Sequence, residues 1–149
     1  MSKDKIKRFS NAIYQNAMTG KQSIADILDK VENEEIRAEF NREYKEFDSV
    51  CDAIEEFSSR NKFKIEDNSF LEKSKLWMSI NMSTMFDNSN RKILEMMLIG
   101  YIMGLSCVYS DKHHYEGINA ELEKILNNLE LIMDNNLIAL KNLLKKYSR

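Results

Sequence analysis

The sequence predicts an all-α protein, a bundle of long amphipathic helices held in one domain. Three observations carry this. The chain has no proline, only 4 glycines among 149 residues, and three valines (Val31, Val50, Val108) against many Leu, Ile, Met, Lys and Glu, a composition that favours helix over sheet. Its apolar residues recur three and four apart over long stretches, which is the period of a helix face. Its length suffices to bury a core and is short for two domains.

The first stripe, Ile6, Phe9, Ile13, Ala17, Gly20, Ile24, Ile27 and Val31, lines one face of a helix over about 4–30. Asn33 then caps a second helix over about 34–59, with Glu34 and Glu35 in its first turn and a stripe of Ile36, Phe40, Tyr44, Phe47, Cys51 and Ile54. So short a link predicts an antiparallel hairpin. The polar stretch Ser58–Asn68 loses the helical period and reads as a crossover. Ser69 and Glu72 form a capping box ahead of Phe70, Leu71, Trp77, Met78, Met82, Met85 and Phe86, predicting a short extra helix over about 69–86.

The run from Ile93 to Tyr109 is apolar on nearly every side, which marks a helix over about 90–109 that is central to a bundle or inside a membrane. A polar link, Ser110–Gly117, leads to the clearest helix, about 116–147. Its seam is Ile118, Leu122, Ile125, Leu129, Ile132, Asn136, Ala139, Leu143 and Tyr147.

Charge and cysteine usage narrow the function classes. Lys and Arg number 22 against 24 Asp and Glu, for a formal charge of −2, and the signs are interspersed, so electrostatic capture of nucleic acid is not expected. Cys51 and Cys107 show no metal or disulfide spacing and no activating neighbour, and read as small hydrophobes of a reducing cytoplasm. The basic start of the chain lacks an apolar signal core.

No catalytic motif emerges. A dinuclear iron bundle needs inward glutamates and Glu-x-x-His pairs, yet the only histidines, His113 and His114, follow Ser110 and Asp111 at that spacing. No metal or cofactor is therefore expected. Glu43 and Glu95 have apolar neighbours; the pattern sets Glu95 outward beside Arg91 and Glu43 at the edge of its stripe. In the alternative reading, Glu43, Glu95, His113 and His114 furnish an atypical metal site of a metal-handling protein or oxidoreductase. Met78, Met82 and Met85 share a face that can bind Cu(I) or, more simply, fill a core. With Trp77 they also suit a docking surface for a protein partner or a second copy of the chain. Gly100 and Gly104 form Gly-x-x-x-Gly, which signals close helix contact and supports a membrane-associated reading, although packing against the first helix at Gly20 accounts for it equally.

The order of a short hairpin, a long crossover and a second short connection is that of ferritin-like bundles. Through Gly20-x-x-Ser23-Ile24, the Trp/Met-rich segment and Glu95-Met96-Met97-x-x-Gly100-x-x-Met103-Gly104, the sequence resembles small uncharacterised ferritin-like proteins of spore-forming anaerobic bacteria. The resemblance implies an antiparallel four-helix bundle with an extra crossover helix, and it implies no particular activity. Together these readings anticipate a cytoplasmic, non-catalytic binding or assembly module.

Overall fold

In the computed structural model, which describes residues 3–66 and 89–148, the chain forms four α-helices and, among the described residues, no strand. They are α1 (Lys3–Leu28), α2 (Glu34–Arg60), α3 (Asn90–His114) and α4 (Ala120–Lys146). The expected short helix over 69–86 lies outside the described residues.

Each helix start but the first has a visible chemical cause. The side chains of Asn33, Ser89 and Asn119 accept from the backbone N–H groups of Ile36, Lys92 and Leu122, satisfying donors that a helix leaves free in its first turn. Between α1 and α2 the guanidinium of Arg37 donates to the carbonyls of Leu28 (2.9 Å) and Val31 (2.8 Å), so the end of one helix is tied to the start of the next. The link expected over Ser110–Gly117 is displaced. α3 continues to His114, and only Tyr115–Asn119 turns the chain, helped by Gly117 at φ 75° and by Glu123, which accepts from the Gly117 N–H at 2.7 Å.

Ion pairs and ring contacts fix the directions of the helices. Lys21 with Asp48 and Tyr14 with Glu55 set α1 antiparallel to α2; Phe9 stacks on Tyr115 at 4.8 Å, so α1 is also antiparallel to α3. Arg60 with Glu121 and Lys146 with Glu35 set α4 antiparallel to α2, and Lys112 with Glu130 sets it antiparallel to α3. α2 and α3 are therefore parallel, and Arg60 and Asn90 stand at opposite ends of the bundle. The helices follow the order α1, α2, α4, α3 around the axis.

The core between them is apolar and continuous. Phe9, Phe40, Phe47, Phe57, Ile24, Ile36, Leu94 and Leu122 are among its fully buried side chains, and their burial supplies the main driving force for the fold. Gly20 makes room for the Phe47 ring of α2, since a Cβ there would lie 2.8 Å from Cζ of Phe47. The glycines of α3 do not pack on Gly20. Gly104 faces Met133 and Asn16, and a Cβ on Gly100 would meet nothing within 4 Å among the described residues. The picture of α3 as enclosed on all sides also needs correction, because Ile99, Ile102, Met103 and Tyr109 stand in solvent. α3 is long and apolar enough to cross a membrane, with a mean hydropathy of 1.6 over its most apolar window, of which 39% is buried in the bundle.

Candidate functional site

The one acidic side chain fully enclosed among the described residues is Glu43, at 0% exposure. Its place follows from the buried positions of α2, which include Ile36, Phe40, Glu43, Phe47, Val50, Ile54 and Phe57, an alternation of four and three that faces the seam. Glu43 thus sits on the inward line, not at its edge. Tyr44, expected on the stripe, is only half-buried beneath the Lys21 ammonium.

A polar chain across three helices meets this carboxyl group. Tyr101 of α3 donates its hydroxyl proton to Oε1 of Glu43 at 2.5 Å and accepts from Nδ2 of Asn136 on α4 at 3.1 Å. Oδ1 of Asn136 in turn accepts from Nη2 of Arg42 at 2.9 Å. Arg42 completes its fork on Glu39, through Nε at 3.1 Å and through Nη2, and on Glu46 through Nη1 at 2.8 Å. Phe47 stacks on Tyr101 at 5.9 Å and shields the hydroxyl from water.

The second oxygen of Glu43 decides the charge state. Oε2 has no donor within reach, and the Arg42 guanidinium is 4.0 Å away. Burial, reinforced by the neighbouring Glu39 carboxylate, pushes the Glu43 acid up to about 10, while the hydrogen bond between the two carboxyl groups and the Arg42 guanidinium hold Glu39 below its ordinary value. These facts fit one arrangement: Glu43 is neutral and shares a hydrogen bond with the Glu39 carboxylate. A buried carboxylate without that proton would be left with an unmet acceptor and no counter-charge in contact.

Beside this centre, between α2 and α4, lies a groove of about 460 Å³ that Ala38 and Ala139 leave open. Its charged walls are already paired, Glu39 with Arg42 and Glu35 with Lys146, so it offers no free charge to a ligand. The centre does not suit a dinuclear metal either. Among the described residues no group of three or more His, Cys, Asp and Glu side chains is placed to hold a metal ion, and the Arg42 guanidinium takes oxygens of Glu39, Glu46 and Asn136 that a cation would need.

The other expected residues are not gathered there. Glu95 is partly exposed, pairs with Arg91 at 2.9 Å and Lys92 at 3.6 Å, and is held low by them. His113 and His114 are exposed in the last turn of α3 and not in a link. Cys51 is buried, which pushes its thiol up to about 12, and Cys107 is half-buried with its thiol raised for the same reason. Met96 and Met97 fill the core. Trp77, Met78, Met82 and Met85 lie outside the described residues. Tyr101 and Arg42 carry no sequence signal of their own, whereas Asn136 is the one polar residue in the apolar seam of α4 and marks the centre.

Compared with protein-family models, curated proteins and solved structures, the chain matches none.

Proposed function

We propose that the chain is a cytoplasmic ferritin-like bundle that works as a non-catalytic binding and assembly module. The observation that carries this reading is the Arg42 fork inside the carboxyl cluster. It satisfies Glu39, Glu46 and Asn136 from within the chain, so the polar centre acts as a register pin among α2, α3 and α4 and not as a reactive site. The parallel course of α2 and α3, with Arg60 and Asn90 at opposite ends of the bundle, is the helix order of ferritin-like proteins and supports that assignment. Unpaired thiols with raised proton affinity are in keeping with a reducing compartment.

The alternative, a metal-handling protein using Glu43 and Glu95 with His113 and His114, is disfavoured because Glu95 is already paired outside the core and both histidines are exposed. Metal analysis of protein purified without a His tag and reconstituted anaerobically distinguishes the two. The module reading expects well below one iron or manganese ion per chain. Two ions per chain, lost on Glu43→Ala, would replace it with the metal-handling one.

A further inference from the structure

Among the described residues six large apolar side chains stand in solvent, four on α3 and two on α4. Lys112 beside Glu130 and Tyr101 beside Asn136 give the register of this antiparallel pair. Stepping along it brings Ile102 level with Ile138 and Tyr109 level with Leu131. Each pair is seven residues from the next, two helical turns. These side chains are 59%, 57%, 51% and 58% exposed, so they form a two-rung apolar ladder on the outer face of α3 and α4. Ile99 and Met103 widen it across α3.

We propose that this face binds a second copy of the chain about a two-fold axis that passes between the rungs, an inference that rests on the assembly reading and names its partner. Under that rotation the ladder meets itself, as an isologous contact requires. The charges flanking the ladder fit the same operation. The end holding Arg91, Lys92, Lys141 and Lys145, with Glu95 the one acid among them, is turned against the end holding Glu116, Glu123 and Glu130, with Lys112 and Lys124. The named residues of the first end sum to +3 and those of the second to −1. The area is adequate: α3, with 25 residues, is about 37 Å long, and two adjacent helices about 20 Å wide offer about 700 Å², close to the ~800 Å² per partner of a stable interface. The stretch that follows α2 is tied to α1. The Glu66 N–H donates to Asn11 at 2.9 Å and its carbonyl accepts from Gln15 at 3.2 Å, on α1, the helix diagonal to α4.

Sedimentation velocity of the full chain, with far-ultraviolet circular dichroism, tests this. The unaltered protein should sediment as a dimer at micromolar concentration. Ile102→Glu with Ile138→Glu should raise the dimer dissociation constant about 100-fold or more with helicity intact, as loss of a central apolar cluster does. Reversing the charge of the first end with Lys141→Glu and Lys145→Glu should weaken the dimer about fivefold. A dimer indifferent to the ladder variant overturns the proposal. So does a monomer. In that case, loss of thermal stability in the ladder variant would show the face to be covered by the chain itself, and flotation of the unaltered protein with anionic vesicles would show it to be a lipid contact. The outcome is separable from the assembly reading: a metal-free monomer sinks the second copy alone, and a metal-loaded dimer sinks the module reading alone.

Discussion

Glu43 sits where an apolar side chain would serve the core equally well by volume, and its neutral form makes that position tolerable. The stability consequence has a definite sign. The native state binds a proton at Glu43 up to a pH of about 10, against an ordinary value of 4.5. The stabilising contribution is thus complete in acid below the ordinary value and is lost as pH climbs through that window, by up to about 1.4 kcal/mol per pH unit. Glu39, shifted the other way, opposes this only in acid. Glu43→Gln copies the protonated acid, with an oxygen for Tyr101 and an N–H for Glu39. It is expected to flatten the decline in melting temperature between pH 6 and 9 and to match or exceed the natural protein at the upper end. A Gln variant with an unchanged pH profile would locate the titration elsewhere. Tyr101→Phe removes the donor to Glu43 and the acceptor of Asn136 together, so chemical denaturation should show a loss of about 1–3 kcal/mol.

At the scale of the helices, two glycines and one lysine give opposite expectations from local geometry. Gly20→Ala pushes a methyl group into the Phe47 ring, which Tyr101 backs, and should cost about 1–3 kcal/mol through overpacking. Gly100→Ala meets nothing among the described residues and should gain up to about 1 kcal/mol from helix propensity alone. At the end of α2, Lys62 has φ 59° while the Phe63 N–H bonds back to the Ser58 carbonyl. Lys62→Gly should therefore stabilise by about 1 kcal/mol. Thermal melts of the three variants give the order Gly20→Ala below the natural protein and the other two above it.

The existence and faces of these helices were legible because burial of one stripe dictates its period: Phe9, Ile13, Ala17, Ile24 and Ile27 in α1 and Leu122, Leu129, Ile132, Asn136 and Leu143 in α4 are core, while Ile125 and Ala139 of the α4 seam are half-buried. What period alone missed was phase. In α2 the stripe read through Tyr44 and Cys51 and the strict alternation through Glu43 and Val50 differ by one residue. An apolar-first reading discards the glutamate, although a polar centre formed with Asn136 stabilises it there. The end of α3 was also missed, because its last turn, Lys112-His113-His114, is polar yet complements the helix dipole.

For the whole molecule, the parallel pair α2 and α3 means that contacts far apart in sequence hold the bundle together, with the polar centre drawing on three of its four helices. Its tenancy by Arg42 and a neutral Glu43 separates a self-contained module from a metal enzyme, since a cation needs that carboxyl group ionised. The direct measurement is a carbon-13 nuclear magnetic resonance titration of the Glu43 carboxyl, assigned by comparison with Glu43→Gln. The account predicts a carboxyl that stays protonated through neutral pH and loses its proton only toward pH 10. Titration of Glu43 in the ordinary carboxylate range, near 4.5, would contradict it.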